Sequence, residues 1–155
     1  MLSRYEQFSS VISTIYRCIQ KVERDEMVKY GYKGSYAQYL AAINRYPEGI
    51  TSRELCEICD KDKAAISRIV TEMEDKGLVQ RVGDGASLYR ARLYLTEEGK
   101  RLAAVVSERG SVAVEVVGEG LTDEDRLIFY TALDRIASNL HKIGREGLPT
   151  ENRGE

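Results

Sequence analysis

The chain has 155 residues, 43% hydrophobic and 31% charged, enough to bury a core, with no apolar run long enough to span a membrane. Its net charge of −2 and isoelectric point near 5.6 exclude a uniformly basic nucleic-acid binder, so any basic footprint has to be local. The first ten residues hold no long apolar run and no small-residue cleavage site, which predicts no secretion and, by default, a cytoplasmic protein.

The first predicted helix runs from about Arg4 to Val28. Tyr5, Phe8, Ile12, Ile15, Ile19 and Val22 recur at alternating spacings of three and four, a heptad-like stripe that suits a second chain as well as a fold interior. A helix this long points to a dimer interface. The stretch Tyr30–Gly34 ends it, and Ser35 is placed to cap a second helix carrying Tyr36, Tyr39, Leu40, Ile43 and Tyr46. Those tyrosines admit a ligand pocket, but ordinary core packing is the favoured reading. Pro47-Glu48-Gly49 closes the segment.

Thr51 and Glu54 form a T-x-x-E capping box, in which each side chain satisfies an orphan N–H at a helix start. Leu55 with Ile58 or Cys59 then gives a short helix its buried face. In Asp60-Lys61-Asp62-Lys63, Asp62 is the preferred N-cap of the next helix and Asp60 the alternative. That helix is predicted from about Lys63 to Lys76, with Ile66, Ile69, Val70 and Met73 as one apolar stripe and Gly77 as its left-handed stop. Its opposite face presents Lys63, Ala64, Ser67, Arg68 and Thr71. Such small or cationic residues are admitted by a DNA major groove, although a solvated helix face would look the same.

Leu78–Val82 reads as a strand, Gly83-Asp84-Gly85 as a turn, and Leu88–Leu95 as a second strand. Ala91, Leu93 and Leu95 share one face; Arg90, Arg92 and Tyr94 share the other. Two helices in tandem followed by this hairpin describe a winged helix-turn-helix, and they favour the DNA reading. Arginines on the wing can reach phosphates or a minor groove. From Lys61 to Arg92 there are seven cations (Lys61, Lys63, Arg68, Lys76, Arg81, Arg90, Arg92) against five acids (Asp62, Glu72, Glu74, Asp75, Asp84), so the basic footprint is confined to this region.

The segments AAISRIVTEMEDKGLVQR and LYLTEEGKRL resemble the MarR family of bacterial transcription regulators, most sharply between Thr51 and Leu102. Ser67 and Arg68 match the family's recognition-helix pair. Gly77-Leu78-Val79 matches its turn into the wing, and Leu95-Thr96-Glu97-Glu98-Gly99 its Leu-Thr-x-x-Gly. The family's Asp-Arg-Arg run would fall on Ser87-Leu88-Tyr89 and is absent, so the expectation is that Arg90 and Arg92 take over the wing contact, with Asp84 orienting one of them. The resemblance implies a homodimeric regulator, most often a repressor, bound to double-stranded DNA and released by a small-molecule effector. Lys61, Lys63, Ala64, Ser67, Arg68, Thr71, Arg90 and Arg92 are its expected DNA-binding residues.

Beyond the wing, Thr96 is predicted to cap a helix to about Val117, with Leu102, Val105, Val106, Val112, Ala113, Val116 and Val117 on its apolar face. Gly110 inside it suggests a bend or a close helix crossing. Gly118-Glu119-Gly120 breaks the chain. Thr122 and Asp125 then cap a last helix to about Ile143, with Leu127, Tyr130, Leu133, Ile136 or Ala137, and Leu140 inward. The expected organisation is a mainly α chain with a small β-hairpin wing. Residues 1–46 and 97–143 form a helical dimerisation region, 47–96 a winged helix-turn-helix, and 144–155 a disordered tail. Two-fold symmetry would set two recognition helices about 34–36 Å apart, matching a pseudo-palindromic site.

Cys56 and Cys59 form a C-x-x-C, but with no second pair and one histidine, His141, remote in sequence, they read as small hydrophobes rather than a metal or redox site. In the family pattern they take a small-residue position and a buried leucine position. One branch of the family senses organic peroxides through a cysteine of its first helix, which makes Cys18 an alternative redox sensor, though at another register. No nucleophile motif, phosphate loop or carboxylate cluster points to an enzyme or to a cofactor. The competing class is a winged helix that binds protein instead of DNA.

Overall fold

A computed structural model describes residues 3–83 and 91–148. The chain divides into two compact units between Val114 and Glu115. In the first, helix α1 (Arg4–Lys29) begins at a capping box made by Ser3 and Glu6, a start signal that the sequence reading passed over. Most of its apolar stripe is exposed. Tyr5, Phe8, Ile12, Ile15 and Ile19 are between 39% and 76% exposed, and only the last turns, at Glu26 and Met27, enter the core.

Helix α2 (Tyr36–Asn44) lies at the opposite extreme, with six of its nine residues buried, among them Tyr36, Tyr39, Leu40 and Ile43. Two expectations fail here. Ser35 sits in the right-handed helical region and makes no side-chain cap. The N–H groups of Tyr36 and Ala37 donate instead to the carbonyls of Lys33 and Gly34, so the preceding turn satisfies the orphan donors that a serine cap would serve. Tyr46 falls beyond the helix and is exposed.

Strand β1 (Ile50–Thr51) leads directly into α3 (Ser52–Cys59). Thr51 ends the strand and caps the helix: its hydroxyl accepts from the Glu54 N–H at 3.2 Å, and its own N–H donates to Glu54 Oε2 at 2.8 Å. Leu55 is fully buried and Cys59 half-buried, while Ile58 faces out. Asp60 ends α3 in a left-handed conformation (φ 49°), the one non-glycine among the described residues with positive φ. Asp62 caps α4 (Lys63–Asp75), its Oδ1 accepting from the Ala65 N–H at 2.8 Å. Ile66, Val70 and Met73 are fully buried, and Gly77 follows at φ +68° as a left-handed stop.

The wing contributes β2 (Val79–Val82) and β3 (Arg92–Leu95), paired antiparallel with Val79 opposite Leu95 and Val82 opposite Arg92. β3 also pairs with β1, so the sheet has three strands in the order β1-β3-β2. Ala91, Leu93 and Leu95 are buried as the alternation requires. The second strand is predicted from Leu88; residues 84–90, including Arg90 and the turn from Asp84, lie outside the described residues.

Helix α5 (Glu97–Val117) starts at a lock built from the Leu-Thr-x-x-Gly segment. The Thr96 hydroxyl donates to the Gly77 carbonyl at 2.6 Å and accepts from the Gly99 N–H at 3.1 Å. A Cβ on Gly99 would stand 2.1 Å from the Leu78 carbonyl oxygen, so only glycine lets the helix lie this close to the chain entering the wing. Leu102, Ala103 and Val106 join the core; Val112, Val116 and Val117 are exposed. Gly110 sits inside the unbroken helix with open space where a side chain would be, so the expected close crossing is absent among the described residues. One hydrophobic core, from Met27 to Val106, therefore unites the end of α1, α2, the two tandem helices, the sheet and the start of α5.

The second unit holds α6 (Asp123–Glu146), which begins at the predicted Thr122–Asp125 capping box and runs three residues past its expected end at Ile143. Arg126 reaches back to the Gly118 carbonyl at 3.0 Å and to Glu115 at 3.4 Å. No residue of α6 is buried, and Leu127, Tyr130 and Leu140 stand exposed.

Candidate nucleic-acid interface

The surface of α4 and the turn before it gathers six of the eight predicted residues. Lys61, Lys63, Ala64, Ser67, Arg68 and Thr71 are all exposed, while Ile66, Val70 and Met73 on the other side are sealed in the core. Ala64, Ser67, Arg68 and Thr71 follow the i, i+3, i+4, i+7 spacing of one helix face. Burying the apolar stripe thus aims this face outward. The Asp62 cap and the left-handed Asp60 fix where the helix begins, and so where Lys61 and Lys63 stand relative to its positive end.

The wing side is less open than the alternation suggested. Arg92 is exposed, but its Nη1 donates to the Gly49 carbonyl at 2.7 Å, and the half-buried Tyr94 donates its hydroxyl to the Glu48 carbonyl at 3.0 Å. Both side chains hold the turn before β1 against the sheet. Arg92 keeps further N–H donors for a second partner, because a guanidinium has five.

Glu72 and Glu74, two of the three acids toward the end of α4, are engaged elsewhere in the fold. Glu72 Oε2 accepts from Lys33 Nζ at 2.6 Å and from the Tyr36 hydroxyl at 3.3 Å. Its carboxylate is held below the ordinary range, chiefly by the Lys33 hydrogen bond. Glu74 accepts from Arg81 Nε at 2.9 Å, in a contact about three-quarters shielded on both sides. Sequence reasoning counted Arg81 with the basic footprint and Glu72 and Glu74 against it. The structure withdraws all three into cross-element contacts. Nothing in the local pattern signals the Lys33–Glu72 pair, whose members are 39 residues apart.

Two clefts adjoin this unit. One, of about 210 Å³, is lined by Gln20, Glu23, Arg24, Ser35, Gln38 and Lys61 among others. The other, of about 260 Å³, lies between α1, α2 and α5 and is lined by Glu23, Asn44, Arg45, Val106 and Ser107 with flanking alanines. Burial pushes the Glu23 carboxyl up, against the pull of Arg45 and Arg24.

Cys56 and Cys59 are half-buried against the core, and burial pushes the Cys59 thiol up, away from the reactive thiolate. Cys18 is exposed on α1. Among the described residues, no three of His, Cys, Asp and Glu gather in a group that could hold a metal ion. None of the described helices is long and apolar enough to cross a membrane.

Comparison with known proteins agrees with this geometry. The MarR family model matches residues 30–87. The transcriptional regulator HosA of Escherichia coli O127:H6 is 35% identical over 96 residues, covering 61% of this chain and 70% of its own. Among solved structures, a MarR transcriptional regulator from Methanosarcina mazei Go1 superimposes with a TM-score of 0.78 at 26% identity, covering 89% of this chain and 99% of that one. A MarR family regulator from Listeria monocytogenes, solved with a 26mer DNA, shares the fold with a TM-score of 0.74 at 19% identity, covering 97% and 99%.

Proposed function

The chain belongs to the MarR family of transcriptional regulators, and we propose that it acts as a homodimeric repressor on a pseudo-palindromic DNA site. The observation that carries this reading is the face of α4. Lys63, Ala64, Ser67 and Arg68 stand exposed on a helix whose other side is locked in the core. In this reading they approach base edges and nearby phosphates, with Thr71 beside them, while Lys61 contacts the backbone. Arg90 and Arg92 serve the wing contact, Arg92 through donors not used on Gly49.

The exposed apolar stripes of α1 and α6 support a second copy of the chain as their cover, with 1–46 and 97–143 as the dimerisation region and 47–96 as the reading head. The Listeria protein was solved with a 26mer DNA, which favours DNA as the partner here over a winged helix that binds only protein. A small-molecule effector in the cleft between α1, α2 and α5 would alter the separation of the two heads and so release DNA. Membership of a family of transcriptional regulators supports a cytoplasmic regulator rather than an enzyme.

The test is selection from a random DNA pool at two salt concentrations. Enrichment of a palindrome with half-sites about one helical turn apart supports the reading; binding without any enriched motif overturns it. On the enriched duplex, Arg68→Ala should cost about 1–3 kcal/mol, concentrated on one base pair if Arg68 reads a base and equal on all sequences if it holds a phosphate.

A further inference from the structure

Glu72 poses a problem for the site just described. It lies four residues beyond Arg68 on α4, and side chains at that spacing are neighbours on a helix surface. The Arg68 charge already helps keep its carboxylate ionised. An unengaged carboxylate there would draw the guanidinium back along the helix and away from DNA, because charges at contact distance attract even in a wet environment. In the structure Glu72 is engaged by other partners. Its Oε2 accepts from Lys33 Nζ, in the connection between α1 and α2, and from the hydroxyl of Tyr36, the first residue of α2. Tyr36 is 1% exposed and its ring belongs to the core, so its hydroxyl is a fixed donor. Lys33 supplies the opposite charge from the solvent side.

We propose that Lys33 and Tyr36 are positioning residues for DNA binding: by holding Glu72 they leave Arg68 available to the DNA. This rests on the reading of α4 as the DNA-facing helix and adds a positioning function that neither Lys33 nor Tyr36 shows by its own location. It also accounts for an acid one turn from the cation of a surface meant to meet phosphates. Glu72 fastens α4 to α2 and is prevented from competing for Arg68 by the same contact.

The experiment is a double-mutant cycle on the enriched duplex, read by fluorescence anisotropy, with Lys33→Met, Glu72→Gln and the pair, each checked for an unchanged circular dichroism melt. Lys33→Met should weaken binding about fivefold, the size expected for coupled neighbours. Glu72→Gln should bind at least as tightly as the parent, and the double variant should match Glu72→Gln. In an Arg68→Ala background the Lys33→Met effect should vanish. Tyr36→Phe should act in the same direction and less. Equal weakening by Lys33→Met in both Glu72 backgrounds would show Lys33 touching phosphate itself, and no weakening would show that Glu72 never competes; either overturns the inference while leaving α4 as the DNA-facing helix. A parent protein that enriches no motif, with Arg68→Ala indistinguishable from it, overturns the DNA reading and the inference together.

Discussion

Helices α1 and α4 carry the same kind of apolar stripe, yet only that of α4 is sealed in the core. In α4, Ile66, Val70 and Met73 are fully buried; in α1, Phe8, Ile12, Ile15 and Ile19 are all about two-fifths exposed. Periodicity reports that a helix has a face to bury and says nothing about which chain provides the cover. The two regions therefore divide the labour. The core from Met27 to Val106 takes up the stripe of α4, whereas the exposed faces of α1 and α6 are, in the proposed dimer, what a second copy would complete.

The largest expected effect lies in the core. Leu93→Ala, at a fully buried position of the central strand, should cost about 2–5 kcal/mol of stability in chemical denaturation. Ile15→Glu should leave the core's circular dichroism intact and instead weaken self-association by at least about tenfold, since it sets a charge where an apolar cover is expected. A Leu93→Ala loss that depended on protein concentration as steeply as that of Ile15→Glu would erase the distinction between the regions.

Acid titration gives the next test. Glu54 and Glu72 are both held below the ordinary carboxylate value, Glu54 first by the Thr51 backbone N–H and Glu72 first by Lys33. A lowered folded value means that the stability they add is fully present above the ordinary carboxylate value and lost as pH falls through the lowered one. Denaturation curves should accordingly be flat through neutrality and decline on the acid side, and Glu54→Gln should make that decline shallower. Asp60→Gly should have the smallest effect, a gain of about 0.5 kcal/mol in thermal or chemical unfolding, because glycine accepts the left-handed conformation that an L-residue holds at a cost.

Much of the recognition unit was legible because its signals are local. The Thr51–Glu54 box, the Asp62 cap, the stripe of α4 and the Gly77 stop each work within one or two helix turns, and all four appear in the structure. What sequence reasoning missed or misplaced depended on the surroundings. β1 is two residues long and exists only because β3 pairs with it, below the length at which alternation shows. Ser35 looked like a cap until the turn at Lys33 and Gly34 took its donors. Arg92 alternates outward as predicted, yet a carbonyl 43 residues away claims part of its fork.

Sedimentation equilibrium of the protein alone and on the enriched duplex tests the central claim most directly, because it counts chains. The expected result is a dimer in free solution and two chains on each full palindromic site, with Ile15→Glu shifting the free protein to monomer. A wild-type monomer that occupies the full site as a single chain would contradict it.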